Sequence, residues 1–125
     1  MPIQPRNTKQ KEAIRAAFRD ADRPLSHEEA LVLAQKQVDG LSIATVYRNI
    51  HLLLEEHWLT PVEVPGNTTR YELAGKEHHH HFHCNACGKM FELPGCAVAV
   101  EPKLPLGFVT TGHEFYLYGV CSGCV

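Results

Sequence analysis

Cys84-Asn85-Ala86-Cys87 and Cys121-Ser122-Gly123-Cys124 are two C-x-x-C pairs that bracket the second half of a 125-residue chain. Each pair lets two thiolates reach one ion from a tight turn. Two pairs complete the closed tetrahedral shell of a structural zinc site. Such a site closes the long loop from Gly88 to Val120 and pins the end of the chain against the start of that lobe. A redox C-x-x-C does not account for two copies around one lobe. A four-cysteine site can also hold iron, and the cysteines alone leave that choice open. The start of the chain lacks the apolar core and cleavage site of a secretory signal, and no apolar run is long enough to span a membrane. A cytoplasmic protein is therefore expected. There, paired cysteines bind metal or do redox work more often than they form disulfides.

The stretch leading into the first pair, EHHHHFHCNACGKMFEL from Glu77 to Leu93, holds five of the nine histidines. If His78 to Cys84 is a strand, its side chains alternate between two faces. His79, His81 and His83 then point one way, and His78, His80, Phe82 and Cys84 the other. This predicts two metal sites on opposite sides of one strand. Two histidines do not fill a coordination shell, so each face needs further ligands. Glu72, seven residues before His79, is a candidate carboxylate. His113, Glu101 and His27 are further candidates. Cys96, outside both pairs, is a spare thiol between these candidates, and a lone cysteine is more often a buried small apolar residue than a ligand. His51 and His57 read as helix-surface residues.

The first half reads as helices. Ile14, Ala17, Phe18 and Ala21 follow one buried helix face, and Asp22-Arg23-Pro24 breaks the pattern. Ser26 with Glu29 three residues on is a capping box for a second helix, expected to run to Asp39-Gly40. Ser42 caps a third helix, in which Val46, Ile50, Leu53 and Leu54 form one apolar stripe. Trp58 and Leu59 are expected to close it. Thr45, Tyr47 and Arg48 fall off the stripe and should project outward. TPVEVPGNTTRYEL then alternates, with Val62, Val64, Tyr71 and Leu73 around a Pro65-Gly66-Asn67 turn, as a hairpin does. Three helices and a hairpin are the order of a winged helix-turn-helix, whose third helix enters the DNA major groove. The net charge is −2, but between Met1 and Arg19 the basic residues Arg6, Lys9, Lys11, Arg15 and Arg19 face only Glu12. Such a local excess suits a phosphate backbone, although on its own it reads as a solvated helix face.

SIATVYRNIHLL, RYEL, HHHHFHCNACGKMFEL and GHEFYLYGVCSGC, in this order, resemble the ferric uptake regulator family of bacterial metal-dependent repressors. The opening PRNTKQKEAI is similar to the start of that family. The resemblance covers nearly the whole chain. It implies an α+β fold, with a winged-helix DNA-binding domain over 1–74, a hinge at 74–77 and a metal-binding α/β dimerisation domain over 75–125. It also implies a homodimer that binds a palindromic DNA operator. Cys84, Cys87, Cys121 and Cys124 match structural zinc ligands. Glu72, His79 and His81 match the regulatory ligands. His78, His80 and His113 match a second site, with His80 where an aspartate is more usual. Tyr47 and Arg48 match the base- and phosphate-contacting pair, and Arg6 a minor-groove contact. The usual regulatory histidine of helix two aligns with Pro24, and His27 is the candidate substitute. The acidic ligand of the second site aligns with Ala99, which makes Glu101 the nearest candidate.

Many imidazoles and few carboxylates suit zinc, whereas iron(II) and manganese(II) favour more oxygen ligands. The chain looks most like the zinc uptake regulator branch, with iron-, manganese- or peroxide-sensing members of the family as alternatives. Two rivals come from other classes: a zinc storage protein and a zinc enzyme. Zinc deaminases keep an open coordination position and carry H-x-E with P-C-x-x-C, a pattern absent here. No catalytic residue is expected, and metal ions are the only small ligands the reading calls for.

Overall fold

The computed structural model describes residues 6–96 and 103–125, with Arg6 described at the backbone alone. Two compact units result, Met1–Gly75 and Lys76–Val125. No helix among the described residues is long and apolar enough to cross a membrane.

In the N-terminal unit, α1 (Arg6–Ala21), α2 (His27–Ala34) and α3 (Ile43–Glu55) precede a two-stranded antiparallel ribbon of β1 (Leu59–Val62) and β2 (Arg70–Leu73). Ile14, Ala17 and Phe18 of α1 are buried with Ala30 and Ala34 of α2 and Val46, Ile50 and Leu53 of α3. These are the apolar stripes of three amphipathic helices turned inward. Leu25, in the α1–α2 connection, exchanges backbone hydrogen bonds of 2.8 and 2.9 Å with Tyr71 of β2 and so ties the helices to the ribbon.

Both helix starts follow local chemistry. The Ser26 hydroxyl accepts from the Glu29 amide, and the Glu29 carboxylate accepts from the Ser26 amide. Ser42 accepts from the amide of Thr45. The helix ends differ from the sequence expectation. α2 stops at Ala34, not at Asp39, because the chain tightens into short-range turns, with Gln37 N–H donating to Ala34 and Lys36 N–H to Leu33. The Gln35 side chain also donates to the Leu41 carbonyl. Gly40 does adopt a left-handed φ of 83°, but in that turn, beyond the helix. α3 closes at Glu55. His57 takes a φ of 59°, and the amides of His57 and Trp58 return to Leu54 and Leu53, the Schellman arrangement with histidine in place of glycine. Leu59 therefore begins β1 instead of ending the helix.

In β2, Arg70 and Glu72 are buried while Tyr71 and Leu73 are half-exposed, the reverse of a simple apolar alternation. Arg70 is held near Glu29 at 3.7 Å, an ion pair that offsets the cost of its burial.

The described strands of the C-terminal unit form a three-stranded sheet in the order β4-β3-β5. β3 (His79–Cys84) pairs antiparallel with β4 (Met90–Pro94) and parallel with β5 (Tyr116–Gly119). Gly88, at a φ of 78°, turns the chain between β3 and β4. The histidine run is thus the central strand. Its neighbours fix which residues lie opposite each histidine: His81 faces Glu92 across β4 and Tyr116 across β5.

Candidate metal centres

Cys84, Cys87, Cys121 and Cys124 form one cluster, their sulfurs all within 4.8 Å of one another. Two tight turns bring them together. Gly88 N–H donates to the Cys84 carbonyl at 2.9 Å, and Cys124 N–H donates to Cys121 at 3.0 Å. The Asn85 amide donates to Gly119 at 2.7 Å and locks the first turn to β5. Cys87 Sγ lies 3.8 Å from Cys121 Sγ. A tetrahedral zinc with bonds of about 2.3 Å has sulfur–sulfur edges of about 3.8 Å, so the donor set fits a structural zinc. The backbone amides of Cys87 and Cys121, each 3.4 Å from Cys84 Sγ, hold the Cys84 thiol down at about 6. Hydrogen bonding with Cys121, with burial added, pushes Cys124 up to about 12. The amides aimed at Cys84 Sγ favour its thiolate, the form of cysteine that binds a metal.

The predicted alternation of β3 holds. On one face the rings of His79 and His81 lie 4.8 Å apart, edge to face. His79 Nδ1 is 2.7 Å from the Glu77 carbonyl, which can only accept, so Nδ1 is the donor of this pair. Glu92, paired opposite His81, brings Oε1 to 3.9 Å from His79 Nδ1 and binds Lys76 at 3.0 Å through Oε2. Sequence reasoning missed Glu92. The strand register is the signal that locates it. Glu72 lies on β2 of the other unit, buried.

On the opposite face His78 Nε2 is 3.1 Å from His80 Nε2. His113 joins them, its ring 5.0 Å from that of His78 and 5.2 Å from that of His80. His80 is buried, which lowers its pKa, and the neighbouring His78 and His113 lower it further. The fourth member is Cys96, 3.4 Å from His80 Nε2 and 3.5 Å from His113 Nε2. Its expected role as a small apolar filler is overturned: Cys96 is exposed and stands among imidazole nitrogens. Glu101 and Ala99 lie outside the described residues, as does the side chain of Arg6.

On α3, Tyr47 and Arg48 project from the helix into solvent as expected. Thr45 does not. It is buried, and its hydroxyl lies 3.0 Å from Ser42 Oγ and accepts from Arg48 at 3.1 Å. Turning inward to complete the helix cap, it braces Arg48 from behind. Asn49 donates its side-chain amide to the Thr45 carbonyl. His27 stacks flat on Tyr47, ring centroids 3.7 Å apart at 5°, and meets Tyr71 edge-on at 5.0 Å. Burial, opposed by Glu28, lowers its pKa. The basic patch of α1 is largely paired: Lys11 and Arg15 reach Glu56, and Arg19 reaches Glu12. The Glu56 carboxyl is held below its usual range, first by the Lys11 hydrogen bond.

Residues 3–118 match the model of the ferric uptake regulator family. The chain is 36% identical over 123 residues to the ferric uptake regulation protein of Campylobacter jejuni, covering 94% of this chain and 78% of that protein. Among solved structures it resembles the ferric uptake regulator of Helicobacter pylori, described as having three functional metal-binding sites. That match has a TM-score of 0.64 at 27% identity, over 93% of this chain and 79% of that one. It also resembles a zinc uptake regulator from Mycobacterium tuberculosis, with a TM-score of 0.52 at 25% identity, over 96% and 95% of the two chains. The α+β fold, the four-cysteine cluster and these matches agree: the chain belongs to the ferric uptake regulator family of metal-dependent transcriptional regulators.

Proposed function

We propose that this protein is a zinc-responsive repressor that binds a palindromic operator as a homodimer. Residues 1–74 serve as its DNA-binding domain and 75–125 as its dimerisation domain. Cys84, Cys87, Cys121 and Cys124 hold a structural zinc. Glu72, His79 and His81 bind the sensed ion, with Glu92 beside the two histidines. Tyr47 and Arg48 contact the operator, Thr45 orients Arg48, and Arg6 adds a minor-groove contact. His27, in this scheme, supports Tyr47 and is not a regulatory ligand.

The observation that carries the reading is the pair of imidazoles on one face of β3, with a carboxylate across the strand, in a chain whose third helix presents Tyr47 and Arg48 to solvent. The exposed apolar residues Tyr116, Leu117 and Tyr118 of β5, with Val120 after it, support a second copy docking there. Because Glu72 precedes the 74–77 hinge and His79 and His81 follow it, an ion shared by all three restrains the hinge. The DNA-competent arrangement is then favoured, and metal and DNA strengthen each other's binding by the same factor. The Glu92 carboxylate, and the 36% identity to a ferric uptake regulation protein, favour iron(II) as the second reading.

The test is selection of DNA from a random duplex pool under buffered free zinc, followed by affinity measurements in buffered zinc, iron(II) and manganese(II). Tight binding in zinc alone supports the proposal. Binding in iron(II) or manganese(II) alone moves the sensed metal. No selected sequence under any metal refutes operator binding.

A further inference from the structure

The two faces of β3 carry different chemistry. Beside His79 and His81 stands a carboxylate, Glu92. Beside His78, His80 and His113 stands a thiol, Cys96, and among the described residues no carboxylate joins this cluster. Cys96 reaches this position because β4 ends at Pro94, opposite His79, and Gly95 then takes a left-handed φ of 74°. A residue with a Cβ is strained at that φ, so glycine makes the turn that delivers the sulfur at the least cost.

The distances match one coordination geometry. Tetrahedral zinc with bonds of about 2.05 Å to nitrogen and about 2.3 Å to sulfur has N···N edges of about 3.3 Å and N···S edges of about 3.6 Å. The cluster shows 3.1 Å between His78 and His80, and 3.4 and 3.5 Å from Cys96 to His80 and His113.

We propose that Cys96 is the fourth ligand of a three-histidine, one-thiolate metal site with His78, His80 and His113. The thiolate makes this site select zinc over iron(II) and manganese(II). Binding replaces the thiol proton by the sulfur–metal bond and releases that proton to solvent, leaving the imidazoles neutral. Three borderline nitrogens and one soft sulfur suit a four-coordinate d¹⁰ ion, and they offer manganese none of the oxygen ligands it favours. The inference concerns a site on the other face from His79 and His81, so it stands or falls apart from operator binding.

The experiment uses the full chain carrying His79→Ala and His81→Ala, with one zinc per chain verified in the four-cysteine cluster. It is titrated anaerobically with cobalt(II). The expected result is a second metal equivalent with the intense visible bands of four-coordinate cobalt and a sulfur-to-cobalt charge-transfer band in the near ultraviolet. Cys96→Ser removes the charge-transfer band while the first zinc stays bound. Cys96→Asp, which restores an oxygen ligand, narrows the zinc-over-manganese preference by more than about tenfold, the factor carried by ~1.4 kcal/mol. A charge-transfer band that survives Cys96→Ser overturns the assignment. So do weak six-coordinate cobalt bands in the parent, or a metal preference unmoved by Cys96→Asp.

Discussion

If the four-cysteine cluster holds a structural metal, as proposed, its removal should unfold the C-terminal unit and leave the N-terminal unit standing. The asymmetry follows from where the apolar side chains lie. Every residue of the buried core cluster, from Ala13 to Leu59, belongs to the N-terminal unit. In the C-terminal unit the buried apolar side chains among the described residues are Cys84 and Met90. Burying a methionine is worth ~1.5–3 kcal/mol. A structural zinc contributes ~10–16 kcal/mol of apparent binding free energy, which in small zinc domains is folding free energy. A zinc bound there would therefore outweigh the burial of Met90 several-fold. The helices among the described residues, of 16, 8 and 13 residues, all lie in the other unit.

The assay is hydrogen exchange with far-ultraviolet circular dichroism, on native protein and on Cys121→Ser/Cys124→Ser, with metal content verified. In the variant the amides of Cys84, Asn85 and Gly88, which donate to Lys89, Gly119 and Cys84 in the native fold, should exchange at unprotected rates. The helical signal should persist. Retained protection at those three amides after verified metal loss would falsify the reasoning. A helical signal lost in the same transition would also count against it, since it would mean that the units do not fold independently.

Two further predictions concern the N-terminal unit. Ser26→Ala removes the hydroxyl half of a complete capping box at α2 and should cost about 1 kcal/mol, read as a lower urea midpoint at unchanged slope. An unchanged midpoint would mean that solvent caps the helix equally well. His27 has a pKa below its usual 6.5, mainly because burial disfavours the charged ring. The unfolded chain therefore takes up this proton first. His27 lowers stability as pH falls through 6.5 and stops doing so below its folded pKa. His27→Gln should flatten that part of the stability–pH curve. A slope that stays the same would place the titration on another group.

What was legible in the sequence was local. Ser26 with Glu29, and Ser42, announce their helices because a cap is made within four residues. The two faces of β3 could be read because strand alternation has a period of two. Readings failed where a partner is distant or a side chain has a second use. Thr45 looks outward by helical spacing, yet its hydroxyl is drawn to Ser42 and Arg48. Tyr71 and Leu73 read as the apolar positions of the hairpin, yet it is Arg70 and Glu72 that are buried, Arg70 within reach of Glu29. Glu92 becomes visible as a candidate ligand only once the β3–β4 register pairs it with His81, and Cys96 is set among the imidazoles only once Gly95 turns the chain back toward His80.

The same register links the structural cluster to the histidines. Adjacent residues of β3 serve opposite faces, so a slip of one position would exchange the two ligand sets. Little apolar burial is available to prevent it. Two features hold the phase instead. Cys84 ends β3 fully buried and within the four-cysteine cluster, and Cys84, Phe82 and His80 must then share a face. Phe82 lies against Gly119, its partner strand's last residue, where an added Cβ would come within 3.3 Å of the ring. With β5 tied to β3 through Gly119 and Cys121, the phase that buries Cys84 also turns His79 and His81 toward Glu92, and His80 toward Cys96. A metal held by the four cysteines would thus do more than stabilise the unit: it would determine which histidines can act together.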